Sequence, residues 1–289
     1  DCRPERERPD VAVIADNGRQ RVDTAAAVAE AIATAGREQR LADEYEGYVP
    51  IETRERLRTV RDELRRSLQE HGGAPNADAF KRLRLLAQTE SARHLIEARE
   101  AYVKLRALVR IHEGLARLRE AKTPQELIDA APGELLRSLG FTRAMVSRVR
   151  GSLWVPDVLE IADGVDPKAA AFKRFVAEAE IPLAHLLVET EMVRRRIPVL
   201  VSDPPAHSHT YKPIVEASRS TSYAAAPIMP ATRVIGFFHV DRFGQELPVS
   251  AEDRDNLWVF AEHFGLMYER SVLVERLERQ RSQLHDLLS

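Results

Sequence analysis

Residues 222–242 read SYAAAPIMPATRVIGFFHVDR. Small and apolar residues run from Ala224 to Met229. Pro230-Ala231-Thr232 breaks the run, and a second apolar run, Val234 to Val240, ends in Asp241-Arg242. Two β-rich runs joined by a short polar break predict a hairpin. Gly236 stands inside the second run, where a missing side chain marks a bulge or the close approach of another group. Further on, Ser250-Ala251-Glu252-Asp253 has capping-box spacing and opens a long helical pattern.

Working upstream, Thr123-Pro124-Gln125-Glu126 starts a helix: Thr caps, Pro fits the first turn and Glu126 reaches back. Pro132-Gly133 is expected to interrupt or kink it, and Gly140 to end it. Phe141–Val149 and Leu153–Ile161 then predict two strands joined at Arg150-Gly151-Ser152, with Pro156 marking an edge or a bulge. Asp166-Pro167 opens a helix carrying Phe172, Phe175 and Val176, and Pro198–Val201 reads as a short strand.

The N-terminal half is different. Residues 1–15 predict a disordered tail, and Asp23 to about Tyr45 is Ala-rich and helix-favouring. Leu57, Val60, Leu64 and Leu68 mark an amphipathic helix that ends at His71-Gly72-Gly73-Ala74-Pro75. From near Asn76 a helical pattern runs about forty residues, far beyond the mean of about 11–12. Such a length fits a connector helix or a bundle packed on itself. The last helix runs from about Glu252, with Leu266, Leu273, Leu277, Leu284 and Leu287 on a heptad seam that Arg270 and Gln280 interrupt.

Composition bounds the function. The 289 residues are 44% hydrophobic and 30% charged, which suits a soluble globular chain of two domains. A formal net charge of -2 gives no electrostatic case for nucleic-acid binding by this chain. No apolar run approaches a membrane span, and the charged start DCRPERERPD lacks a signal-peptide core. That start also lacks an initiator Met, so a trimmed chain or a fragment is expected. Cys2 is the one cysteine; it allows no internal disulfide and fits a cytoplasmic location.

The order of helix, strands, hairpin and helix, with the wording API…RVIGFFHVDR, resembles a GAF domain. Stretches such as GFTRAMVSRVRGSLWVPDVLEIADG, LVETEMVRRRIPVLVSDP and DRDNLWVFAEHFGLMYER also resemble the sensory region of GAF-containing LuxR-type regulators of actinobacteria. The resemblance implies an α+β fold: a mainly helical N-terminal region, then a GAF-like antiparallel sheet with flanking helices and a C-terminal connector helix. The corresponding division is 1–15 tail, 16–108 helical region, 109–265 GAF-like sensory domain and 266–289 coiled-coil linker. It further implies a ligand-sensing, dimerising part of a transcription regulator, with DNA contacted only through a domain beyond Ser289. A scaffold without ligand, the sensor part of a kinase or cyclase, and an enzyme on the same fold are the alternatives. The cysteines used by methionine sulfoxide reductases and bilin-binding members are lacking from the sensory segment, and so is the Asn-Lys-Phe-Asp-Glu signature of cyclic-nucleotide binders.

No Ser-His-Asp elbow or Gly-rich phosphate loop is visible, and neither a cofactor nor catalysis is expected. His207-Ser208-His209 offers two imidazoles but no further ligands, and otherwise reads as a solvated loop. Arg194-Arg195-Arg196 reads either as a grip for an anion or as a solvated helix end; Asp241-Arg242 reads as surface charge or a cap. His185 and His239, each in an apolar setting, are either polar anchors of a ligand pocket or ordinary hydrogen-bonded histidines. Strand alternation lets only one of Phe237 and Phe238 line such a pocket. The candidate ligand-binding residues are Trp154, His185, Tyr211, Tyr223, Met229, Phe238 and His239. Such a lining favours a small hydrophobic or aromatic ligand over a nucleotide. An inward-pointing Arg143 or Arg148, or an inward-pointing triple-Arg run, would undo that preference. A homodimer is expected through residues around 80–115 and 266–288.

Overall fold

The computed structural model describes residues 51–70, 77–165, 169–184 and 186–288. The expected tail, the Asp23–Tyr45 helix, the Gly72–Pro75 break, Asp166-Pro167 and His185 lie outside them. The chain divides into two compact units, residues 1–106 and 107–289.

In the first unit, helix α1 (Ile51–Glu70) faces the N-terminal part of α2 (Ala77–Leu118). Leu57, Val60 and Leu64 are buried, as their spacing predicts, and Val60 and Leu64 meet Leu85 and Leu86. Arg65 bonds Glu90 at 3.0 Å and Arg82 donates to Ser67 Oγ at 2.8 Å, so polar clasps flank the apolar seam. At 42 residues, α2 has the length that its unbroken pattern predicts.

The second unit holds a six-stranded antiparallel sheet in the order β3-β2-β1-β6-β5-β4, an α+β arrangement. Its strands are β1 (Arg143–Arg150), β2 (Leu153–Ile161), β3 (Ile181–Pro182), β4 (Val199–Val201), β5 (Tyr223–Ile228) and β6 (Gly236–Asp241). Helices α3 (Pro124–Leu139) and α7 (Ala251–Leu288) cover one face together with the end of α2. Across the other face lie α4 (Ala170–Glu178), α5 (Val188–Arg195) and α6 (Lys212–Ser218).

The hairpin forms as read: β5 and β6 pair with Ala225 opposite His239 and Ile228 opposite Gly236. Close approach, not a bulge, explains Gly236, because a Cβ there would lie 2.0 Å from the Ser147 carbonyl oxygen on β1. The bulge sits instead on β2. Val146 faces Val158 but Ser147 faces Pro156, leaving Asp157 as the extra residue. β3 pairs only with Leu153 and Trp154, so Pro156 lies where β2 has a free edge and no donor is required. The two-residue strand β3 has no counterpart in the sequence reading, being too short to show a period.

Both helix starts carry the expected caps. Thr123 Oγ1 accepts from the Glu126 N–H at 3.1 Å, while the Glu126 carboxylate accepts from the Lys122 N–H at 2.8 Å. Ser250 and Asp253 each accept the other's backbone N–H, at 3.1 and 2.9 Å. Gly140, at φ 69°, closes α3 in the left-handed region that glycine tolerates. Pro132 does not break α3: it sits buried within a helix that runs on to Leu139.

The helix-side core is built on small sheet residues. Ala224 and Ala226 are fully buried, and α7 approaches so closely that a Cβ on Gly265 would be 2.8 Å from the Met229 carbonyl oxygen. Phe238 fills the space between, edge-on to Phe260 at 5.7 Å and to Phe264 at 5.0 Å. Beyond this contact α7 projects with Leu273 52%, Leu277 64% and Leu284 60% exposed. Among the described residues no helix is long and apolar enough to cross a membrane.

Asp241 corrects the sequence reading. It is buried and faces Arg143 across the β1–β6 pair, the two charges meeting at 2.5 Å. Period-2 geometry on a strand buried on both faces turns what reads as surface charge inward. Gly236→Ala should destabilise the chain by about 1–3 kcal/mol or more through overpacking against a backbone atom that cannot yield. Asp241→Asn should cost about 3–5 kcal/mol, because it leaves a buried guanidinium uncompensated. Urea unfolding followed by far-ultraviolet dichroism measures both.

Candidate functional site

Alternation on β1, β5 and β6 sorts side chains between two layers. Ala144, Val146, Ala224, Ala226, Phe238 and Val240 belong to the helix-side core. Met145, Ala225 and Phe237 belong to the opposite layer, with Trp154 from β2 and Phe172 and Val176 from α4. Within that second layer lies a cavity with about 50 Å³ of room for water centres.

Four of the expected residues meet there: Trp154, Tyr211, Tyr223 and His239 all line the cavity. Trp154 is 1% exposed and lies flat against His239, with centroids 5.1 Å apart and planes 20° off parallel. Tyr223 leans over the same imidazole at 5.8 Å. Phe238 is a correction: it faces α7 on the far side of the sheet. Its neighbour Phe237 takes the cavity-side layer, edge-on to Trp154 at 6.4 Å. Met229 packs in that layer without lining the cavity. His185 lies outside the described residues.

No pattern in the sequence marks the polar half of the lining as a set. Glu189, on the first turn of α5, is buried and its Oε1 lies 3.1 Å from His239 Nε2. With Glu189 as carboxylate, His239 Nε2–H donates. Among the described residues that leaves Glu189 Oε2 and His239 Nδ1 buried without a partner, and the Trp154 indole N–H as well. Burial, then the negative charge of Glu189, push the Tyr223 phenol well above its ordinary pKa, so it stays a neutral O–H. Heptad-free text such as VETEMVRR carries no mark separating Glu189 from its solvated neighbour Glu191. Only the helix's packing direction does so.

Arg143 does point inward, as one of the alternatives required. It is 2% exposed and lines the cavity, yet its guanidinium is committed. It donates to Asp241 Oδ1 at 2.9 Å, the Ser218 carbonyl at 2.7 Å and Ser220 Oγ at 3.0 Å, and lies 4.1 Å over the Phe243 ring. Ser220 Oγ also donates to Asp241 Oδ2 at 2.6 Å. Arg148 turns away to Asp157 at 2.5 Å and to Gln125 at 2.6 Å. Arg194 and Arg195 both pair with Glu191 at the end of α5, and Arg196 caps that helix at φ 58°. His207 and His209 sit exposed in their loop, and no group of three or more metal-binding side chains occurs among the described residues.

Comparison with known proteins gives the family. Residues 123–267, half of the chain, match the GAF domain family. No curated protein matches the sequence. Among solved structures, the chain is similar to the GAF domain of a phosphoenolpyruvate-protein phosphotransferase from Coxiella burnetii, with 11% identity, TM-score 0.48, and 61% of this chain and 98% of that one covered. It is also similar to residues 122 to 287 of a methyl-accepting chemotaxis protein, at 20% identity and TM-score 0.45, covering 55% of this chain and 96% of that one. A phycocyanobilin-bound GAF domain from a cyanobacterial phytochrome gives 15% identity and TM-score 0.46, with 58% and 96% covered. The chain belongs to the GAF domain family, whose members are ligand-binding sensory domains.

Proposed function

We propose that this chain is the ligand-sensing and dimerising region of a transcription regulator, and that α7 passes the state of the cavity to a DNA-binding domain of the parent protein. The observation that carries the sensing part is the position of β6. His239 lines the cavity, with Phe237 in the same layer, while Phe238 between them packs on Phe260 and Phe264 of α7. A small molecule in the cavity therefore presses on one side of a strand whose other side seats the output helix. Differential occupancy of two settings of that strand is what a sensor requires. The resemblance to LuxR-type regulators supplies the transcriptional output. The cavity and the coupling strand supply the sensor.

Dimerisation rests on α7. Leu266, Leu273, Leu277 and Leu284 are spaced seven, four and seven residues apart, and each is more than half exposed. That is the spacing of a coiled-coil seam. Two partners placing this seam together would relate their output segments by symmetry.

The ligand-sensing reading is tested by melting the protein with a chemically diverse set of small metabolites. A true ligand at about one hundred times its Kd adds roughly 2.7 kcal/mol of stability. His239→Ala should abolish the response. If no member of the set stabilises the chain, the scaffold reading replaces this one. Leu273→Asp with Leu277→Asp should convert a dimer at tens of micromolar, about the range a stable helical interface tolerates, to monomer in sedimentation velocity. Unchanged sedimentation would remove the C-terminal seam as the interface.

A further inference from the structure

The cavity has a charge preference that its apolar walls conceal. Resting on the sensing role proposed above, we infer that its ligand is a small organic cation bearing N–H donors, a compact protonated amine, held by Glu189 inside an aromatic enclosure. Three facts converge on this class.

First, the charges lining the cavity do not balance. Arg143 and Asp241 neutralise each other through paired contacts, and both serine partners are turned to the same network. Glu189 is 2% exposed, and among the described residues its side-chain partner is His239 alone, through Oε1; in the neutral tautomer taken above, that imidazole brings a hydrogen bond but no counter-charge. A buried carboxylate without a full counter-charge is costly unless a cation or several donors complete it. A phosphate or carboxylate ligand would add a second negative charge beside it, with the one guanidinium already engaged.

Second, two of the three vacant hydrogen-bonding positions around the cavity call for donors, the Trp154 N–H being the exception. Among the described residues Glu189 Oε2 is an acceptor without a donor, and so is His239 Nδ1 in the tautomer whose Nε2–H serves Glu189. An alkylammonium brings three donors on one atom. Trp154, Phe172, Tyr211 and Tyr223 line the same space, and the face of an aromatic ring is where a desolvated ammonium group is held.

Third, the space is small. A cavity of about 50 Å³ admits only a ligand of a few non-hydrogen atoms, against roughly 300–1,000 Å³ for pockets that take drug-sized molecules. Nucleotides and tetrapyrroles exceed it, whereas a short amine fits.

Isothermal titration of the whole chain decides the matter. Ethylammonium chloride is compared with 1-propanol and sodium propionate, short-chain neutral and anionic compounds, at constant ionic strength. Ethylammonium should bind once per chain, at least tenfold tighter than 1-propanol, with propionate silent. Glu189→Gln should weaken ethylammonium at least tenfold, while Arg194→Gln on the exposed side of the same helix leaves it unchanged. Equal or tighter binding of 1-propanol or propionate overturns the inference and leaves the sensing role standing. No binding of ethylammonium also overturns it. Failure of the sensing role itself is seen separately, as the absence of any stabilising compound in the broader melting set. The wild-type comparison decides the charge class even if Glu189→Gln does not fold.

Discussion

Strand β6 has no solvent face, and most of this domain follows from that constraint. It lies between β1 and β5 in the middle of the sheet, with helices on both sides. Alternation then assigns every side chain: Phe238 and Val240 to the helix core, Phe237, His239 and Asp241 to the cavity layer. Neither layer can shift a residue by one position without inverting both. Gly236 belongs to the same constraint, since only a residue without Cβ lets β6 come within hydrogen-bonding range of β1 beside Ser147.

Asp241, the last residue of that strand, is kept inside the protein by Arg143. Burying two charges carries a desolvation cost that their attraction offsets only when the remaining donors and acceptors are filled. Here Ser218, Ser220 and the Phe243 N–H fill them. The pair therefore joins β1 and β6 to the end of α6 and fixes one end of the cavity. Its self-neutralisation is also what leaves Glu189 as the charge that a ligand answers. Stability and selectivity are two consequences of one network.

Much of the sheet was legible because its signals are local. The strand pair around Gly151, the caps at Thr123 and Ser250, and the hairpin each rest on a few adjacent residues whose chemistry demands one geometry. Gly236 announced a close approach for the same reason. What stayed hidden depends on direction in space. Phe237 and Phe238 are identical side by side, and only pairing with β1 and β5 tells which meets α7. Glu189 and Glu191 share one helix, yet one is buried against His239 and the other pairs with Arg194 and Arg195. Asp241 reads as a surface charge until Arg143, almost a hundred residues earlier, is seen opposite it. Aromatic residues at the cavity were legible as a class, since Trp154, Tyr211 and Tyr223 sit in otherwise apolar or loop-flanked text. The polar lining was not, because no sequence pattern marks a carboxylate that will be enclosed.

In the proposed sensor, occupancy of the cavity is felt on α7 through β6. The chain's two tryptophans report the two layers separately: Trp154 lines the cavity and Trp258 packs on the helix-side core. Fluorine NMR of the chain labelled with 5-fluorotryptophan, recorded while the most stabilising compound is titrated, reads both at once. With such coupling, the Trp154 and Trp258 resonances move together with one saturation curve. A Trp154 resonance that moves while Trp258 stays fixed would contradict it.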